Sequence, residues 1–426
     1  MLKIALFEAY DPSRKDRVFY PLGLASLASH VKKAFRGVSV RICRDREELL
    51  SAKPSMVGIS STSPAIPFAV AMAREVKEEL GIPVILGGAH ISTLPESLAP
   101  LFDAGVIGEG EATFAALVDL FLKEGKLSPS SLIEREGIVF HDGSSLRKTP
   151  HRAPIADLDS LPFPERAWTG VVSQVQWLFS SRGCPARCAF CASSAIWRGY
   201  RLHSPAYVAR EAGELVKRFN SPFLIFMDDL FAVSQERVEA VAAALKEVAG
   251  PSFSSTVTLR ADRATESLCG ALRAMGAGFV HIGIESASDR VLAKLKCGTT
   301  TAAQNQKALD VASAAGLSPV GSFIIGAPGE EEEDLEATYR FIERNLARGT
   351  MKSFSFSPLV PFPATPVWHD AKDRGLIDPL AMDWPSLDID VRTFTGERYM
   401  LLNDRMSHDR FMYHFRRMKD LFDHVH

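Results

Sequence analysis

Five apolar runs, LKIALF (2–7), VSVRIC (38–43), MVGIS (56–60), PVILGG (83–88) and AGVIG (104–108), are of strand length, and amphipathic patterns of helical period lie between most of them. Strand and helix in alternation imply a parallel sheet wrapped by helices. The helical patterns run from about 21 to 35, 65 to 80, 95 to 101 and 112 to 124, so residues 1–125 read as an α/β domain with a doubly wound, Rossmann-like sheet. Ligands of such sheets bind beyond the carboxyl ends of the strands, at the topological switch point. Here that edge is formed by loops carrying Ser60, Ser61, Thr62, Gly87, Gly88, Gly108 and Gly110. Paired glycines let a backbone approach a large flat or phosphorylated ligand, and they also simply end strands. No GxGxxG follows the first run, which disfavours a dinucleotide.

A chain of 426 residues, 46% hydrophobic, has material for two or three cores. Its formal charge of −2 leaves no strong electrostatic footprint for nucleic acid or anionic lipid, so small molecules are the expected ligands. The start, MLKIALFEAY, reads as a buried strand and not as a secretion signal, and no run of 18 apolar residues occurs. The expected compartment is the cytoplasm, where the six cysteines stay reduced. Residues 126–170 are rich in Pro, Ser and charge and read as a linker, with a hairpin around Asp142-Gly143.

After the linker, VQWLF (175–179) reads as a strand with SSRGCPARCAFC at its carboxyl end. Cys184, Cys188 and Cys191 therefore sit on one short loop. Structural zinc takes four protein ligands, commonly as two pairs, and Cys43, Cys269 and Cys297 stand alone. Three thiolates on one loop can instead hold three irons of a cubane cluster and leave the fourth open.

The loop CPARCAFC resembles the CxxxCxxΦC loop of the radical S-adenosylmethionine superfamily, with Phe190 as its aromatic position. The resemblance implies a [4Fe-4S] cluster held by the three cysteines. Its open iron would chelate S-adenosylmethionine, which one electron from a donor such as flavodoxin or ferredoxin cleaves to a 5′-deoxyadenosyl radical. Further segments follow in the family's order over 171–365, which implies a partial (β/α)6 barrel with its site at the carboxyl ends of the strands. PFLIFMDDLF (222–231) ends in Asp228 and Asp229, at the position implied to bind the cofactor's amino group. SFSSTVTLRADR (252–263) places Thr256, Thr258 and Arg260 on one face. GFVHIGIES (278–286) does the same for Phe279, His281, Gly283 and Glu285, with Glu285-Ser286 implied to lie beside the ribose and methionine. VGSFIIGAPGE (320–330) resembles the strand that packs on adenine, with Gly321 and Gly326 giving backbone access, and FSFSPLVPFPATPVW (354–368) resembles the last strand and its exit.

Upstream, GGAHISTLPESL (87–98) and DAGVIGEGEATFAAL (103–117) resemble the domain that precedes the barrel in cobalamin-binding members. That implies cobalamin, with Ser60, Ser61, Gly87, Gly88 and Gly108 near its tail and corrin. The loop EAYDPSRKDRVFYPLG lacks the D-x-H-x-x-G that supplies a histidine to cobalt in many cobalamin modules, which removes that ligand and not cobalamin itself. The implied reaction is methylation of an unactivated carbon in a small metabolite, lipid or peptide natural product. Without cobalamin the same barrel would carry out rearrangement, deoxygenation or cyclisation, and a non-catalytic sensor is the other alternative. An RNA methylthiotransferase would need a second cysteine triad in the front domain, where Cys43 is alone.

His281 is the candidate proton donor or substrate ligand. Trp177, Trp197, Tyr200, Arg201 and His203 cluster around the cysteine loop, and Cys297 is a candidate hydrogen-atom donor. The acids from Glu330 to Asp334 read as the solvated first turn of a helix. Residues 366–426 read as an α-rich cap with Met406, Phe411, Met412, Phe415, Met418 and Phe422 at helical spacing.

Overall fold

The computed structural model describes residues 2–13, 21–166, 175–248, 253–390 and 399–425. They form two compact units, the first from residues 1–171, 195–198 and 377–387, the second from the remainder. The first unit is built on strands β1 (Leu2–Glu8), β2 (Val38–Cys43), β3 (Met56–Ser60), β4 (Val84–Gly87), β5 (Ala104–Val106), β6 (Ile138–Asp142) and β7 (Ser145–Lys148), in the order β2-β1-β3-β4-β5-β6-β7. β1 to β5 are parallel, and the switch point lies between β1 and β3.

Both faces of this sheet are buried, which is why its strands are apolar throughout instead of alternating. Ile4 and Leu6 of β1 pack with the helices Leu22–Ala34 and Gly110–Glu124, while Ala5 and Phe7 face the helix Ile66–Leu80. Burial of Ile4, Leu6 and Phe7 contributes about 1.5–3 kcal/mol each. The helical pattern near 95–101 is realised differently: a short helix, Ala89–Thr93, stops before Pro95 and a single 3-10 turn, Pro95–Ser97, follows. Proline clashes with a helical residue before it and has no N–H to give. The stretch read as a linker carries the β6–β7 hairpin, turned at Gly143, and β6 pairs antiparallel with β5. Ile138, Val139 and Phe140 are buried there, so the sheet continues through this segment.

The second unit carries β8 (Val175–Leu178), the short antiparallel pair β9 (Ser181–Arg182) and β10 (Arg201–Leu202), then β11 (Phe223–Phe226), β12 (Ser254–Arg260), β13 (Ala277–Glu285), β14 (Ser318–Ile325) and β15 (Ser353–Pro358). Six of these form a parallel sheet in the order β15-β14-β13-β12-β11-β8, a half barrel with strands in chain sequence. Side-chain caps start its outer helices: Ser204 accepts from Tyr207 N, Thr265 from Leu268 N, and Thr301 forms a capping box with Gln304. The stretch read as one cap divides. Residues 377–387 belong to the first unit, and the helix His408–Val425 packs Phe415 on Phe356 of β15 at 5.3 Å. Among the described residues no helix is long and apolar enough to cross a membrane.

Gly88 has φ +95°, and a Cβ there would stand 2.7 Å from both the amide nitrogen and the carbonyl oxygen of Ser61. The carboxyl ends of β3 and β4 approach this closely only because the residue is glycine. Gly88→Ala is expected to cost about 1–3 kcal/mol from the backbone conformation alone, with the melting temperature falling accordingly. A melting curve superimposable on wild type would contradict this.

Candidate active site

A cavity of about 790 Å³ is lined by residues from the carboxyl ends of the barrel strands. Cys184, Cys188, Phe190 and Cys191 line it together with Asp229, Arg260, His281 and Glu285. The cysteine loop leaves β9 through Gly183 at φ +85° and is tied down at Ala189, whose N–H donates to Leu295 O at 2.8 Å and whose carbonyl accepts from Val367 N at 3.2 Å. Cys191 N donates to Cys188 O at 3.1 Å, tightening the turn.

All three cysteines are free thiols. Desolvation by the surrounding protein pushes each above its ordinary value, Cys191 to about 11, so they become thiolates at neutral pH only against added positive charge. Among the described residues no group of three or more His, Cys, Asp or Glu is gathered as a site for one metal ion. A cubane does not require such a point, since it takes one thiolate per iron. Three soft donors on one loop, facing one cavity beside Arg260 and Lys296, fit that group.

The two adjacent aspartates after β11 part company. Asp228 is buried and does not line the cavity; its carboxylate accepts from Ser180 N at 3.0 Å, from Ser180 Oγ at 3.1 Å and from Ser181 Oγ. Burial pushes its carboxyl up to about 6 against these bonds. It joins the corner between β8 and β9 to β11. Asp229 lines the cavity and accepts from Ser193 Oγ at 2.5 Å.

Glu285 ends β13 at φ +62°, where the register with β14 shifts between Gly283 and Glu285. This bulge breaks the simple alternation along the strand. The Glu285 carboxylate pairs with Lys296 Nζ at 3.3 Å, and Lys296 also donates to Gly283 O at 2.6 Å. Burial pushes the Glu285 carboxyl up and the ammonium of Lys296 pulls it back. A Cβ at Gly283 would lie 2.5 Å from Glu285 Oε1, so a side chain there would displace the carboxylate from its present position. His281, two residues earlier, also lines the cavity, and burial lowers it so that the imidazole is neutral at pH 7.

Two expected cofactor contacts lie elsewhere. Ser286 is fully buried, its hydroxyl against Thr338 Oγ1 at 3.2 Å and accepting from Ser288 N at 3.1 Å, so it supports the turn behind Glu285. Gly326, at φ +88°, does not line the cavity; a Cβ there would meet the Tyr399 hydroxyl at 2.7 Å and Phe411 at 3.0 Å. Of the cluster flanking the cysteine loop, none lines the cavity: His203 stacks on Tyr207 at 4.0 Å and Tyr200 OH donates to Leu230 O at 3.4 Å. Cys297 donates to Arg187 O at 3.2 Å and borders a separate recess of about 290 Å³.

No motif in the sequence marks Lys296, and the acids from Glu330 onward read there as solvated. Glu330 is buried, its Oε2 accepting from Gly326 N at 2.6 Å and from Ala327 N at 3.1 Å. The turn before it, Gly-Ala-Pro-Gly, was the available signal, because such a turn leaves N–H groups to be satisfied.

In the first unit, the carboxyl edge brings Ser60, Ser61, Gly87 and Gly88 together, with Ser61 N donating to Gly87 O at 3.0 Å. Gly108, at φ +77°, has open space where a Cβ would stand, and its N–H donates to Ser92 Oγ at 2.9 Å. His90 is buried, held by Ser63 Oγ at 3.0 Å and Ser97 Oγ at 2.9 Å, lies edge-on to Trp384 at 4.7 Å, and is lowered by burial to about 4. Both its ring nitrogens are engaged. The edge therefore fits a large cofactor received by backbone and hydroxyl groups, with no histidine offered to a metal from this loop. Most of the first βα loop, residues 14–20, lies outside the described residues.

Burial pushes the Glu330 carboxyl up from 4.5 to about 8. The folded state then holds a proton that the unfolded chain releases, so stability declines as pH rises from about 4.5 to about 8 and levels off above. Glu330→Gln is expected to keep the two N–H acceptors and to remove this decline. Melting temperatures of wild type and variant that run parallel between pH 5 and 8 would contradict this.

A family model described as the radical SAM superfamily matches residues 178–342, and one described as the B12 binding domain matches residues 16–118. The chain is 31% identical to an uncharacterized methyltransferase of Pyrococcus horikoshii, over 95% of this chain and 90% of that protein. Its fold is similar to that of the radical S-adenosylmethionine methyltransferase TsrM of Kitasatospora setae, solved with tryptophan and an S-adenosylmethionine analogue (TM-score 0.71, 17% identity, 88% of this chain and 76% of that one). It is similar also to the cobalamin-dependent radical enzyme OxsB, solved with aqua-cobalamin and S-adenosylmethionine (TM-score 0.72, 19% identity, 99% and 62%). The chain belongs to the radical S-adenosylmethionine superfamily, as an enzyme of the cobalamin-dependent methyltransferase branch that carries a B12-binding domain.

Proposed function

We propose that this enzyme methylates an unactivated carbon of a small organic substrate, and that Cys184, Cys188 and Cys191 hold its [4Fe-4S] cluster. The observation that carries the reading is the convergence of three free thiols with Asp229, Arg260, Glu285 and His281 on one cavity. When bound, the cluster supplies the electron that cleaves S-adenosylmethionine to a 5′-deoxyadenosyl radical, and cobalamin supplies the methyl carrier.

The protein's own part is binding, orientation and shielding. Asp229 offers a carboxylate to the ammonium of S-adenosylmethionine. Glu285, fixed by Lys296, orients the same cofactor from the neighbouring strand. Asp228, Ser286 and Gly326 serve behind this layer, holding the loops that present it. His281 is neutral at pH 7, so it meets substrate as a hydrogen-bond partner or proton acceptor. The other side of the cavity, with Ser322, Ser355, Phe356 and Phe422, receives the substrate; the Ser322 and Ser355 hydroxyls are 3.2 Å apart. In the first unit, Ser60, Ser61, Gly88 and Gly108 form the edge that receives cobalamin. Electrons come from a low-potential one-electron donor.

Iron-loaded protein supplied with S-adenosylmethionine and dithionite should form 5′-deoxyadenosine. Changing Cys184, Cys188 or Cys191 to Ala should abolish both the iron and this product, and retained iron would overturn the assignment. Asp229→Asn or Glu285→Gln should keep the iron and weaken S-adenosylmethionine binding about ten- to a hundredfold, the worth of one hydrogen bond to a charged group. Unchanged binding would remove either residue from the site.

A further inference from the structure

Arg260 closes β12, and its guanidinium is fixed from one side. Nε donates to Asp262 Oδ1 at 2.9 Å, while Nη2 donates to Asp262 Oδ2 at 3.1 Å and to Thr299 Oγ1 at 2.9 Å. This is a bidentate clamp with a third anchor, and it aims the remaining nitrogen. Nη1 stands 3.6 Å from Cys188 Sγ, within reach of a hydrogen bond to sulfur. The Arg260 side chain is only 12% exposed, so water screens this contact little.

We propose that Arg260 sets the reduction potential of the cluster by donating a charge-assisted hydrogen bond to the Cys188 sulfur, with Asp262 and Thr299 as its positioning residues. The inference rests on Cys188 being an iron ligand, as proposed above. Reduction adds one electron to the cluster and its thiolates, with no proton taken up and no bond broken. A cationic donor on one thiolate stabilises the more negative, reduced form more than the oxidised form, and so raises the potential. Lys296, Arg187 and Arg263 lie around the same loop and add positive charge, whereas Asp262 offsets part of it. Arg260 differs from these in its bond to a ligand atom.

The test is a dithionite titration of the iron-loaded full-length chain, without S-adenosylmethionine, followed by electron paramagnetic resonance. Arg260→Gln, at the iron content of wild type, is expected to have a more negative midpoint. Arg260→Lys retains the charge but replaces the clamped planar fork with one rotatable ammonium, and its midpoint is expected between the two. A wild-type midpoint in Arg260→Gln overturns the proposal. Should Arg260→Gln lose its iron, a wild-type midpoint in Arg260→Lys overturns it instead. Because the cysteine variants are scored by iron content and the arginine variants by midpoint, failure of the cluster assignment and failure of this inference give different results.

Discussion

All six strands of the half barrel run in one direction, so the chain leaves every strand at the same rim and must return outside through a helix. That constraint gathers side chains from distant stretches of sequence. Cys184 follows β8 and β9, Asp229 follows β11, Arg260 ends β12, Glu285 ends β13, and the four reach one cavity. The same rule operates in the first unit, where β1 to β5 are parallel and Ser60, Gly87 and Gly108 share an edge. Each unit thus builds its binding edge from chain direction, and side-chain chemistry then decides what the edge receives.

Two charged groups of the cavity, Glu285 and Arg260, are paired. Glu285 stands against Lys296 and Arg260 against Asp262, so neither cation nor anion is stranded in a region of low dielectric. The geometry around Glu285 is demanding: a left-handed backbone at a bulge, with Gly283 leaving the space its carboxylate uses. Strained backbone of this kind persists where the surroundings over-determine it. Here Lys296 grips both the Glu285 side chain and the Gly283 carbonyl, while Asn305 donates to Ile284 O and Ser286 O on the other side. The outcome is a carboxylate held at a fixed point of the cavity before any ligand enters.

Much of this was legible in the sequence, because strands buried on both faces write themselves as apolar runs and because three cysteines in eight positions have few chemical uses. What was not legible follows from physical ambiguity. Asp228 and Asp229 adjoin in the loop after β11, where no strand period applies; Asp229 lines the cavity and Asp228 does not, and nothing in the sequence chooses between them. Ser286, which the resemblance implies to lie beside the cofactor, is buried against Thr338 instead. Gly326 is required by Tyr399 and Phe411, partners some seventy or more residues away that no local pattern announces. Glu330 sits in a run of acids that reads as a solvated helix start, and only the fold shows that two loop N–H groups claim one oxygen of its carboxyl group. Residues 377–387 had no periodicity to distinguish them from the tail around them, although Trp384 packs in the first unit beside His90.

The proposed chemistry requires one chain to carry both a cubane cluster on its cysteine loop and a cobalamin on its first sheet. It is tested most directly by the composition of the full chain, purified anaerobically from cells supplied with cobalamin and reconstituted with iron and sulfide. One corrinoid and one four-iron cluster per chain are expected, read from the optical spectrum and from iron and sulfide analysis. A chain that holds the cluster and no corrinoid would contradict it, and would move the chemistry to radical rearrangement or deoxygenation in the barrel alone.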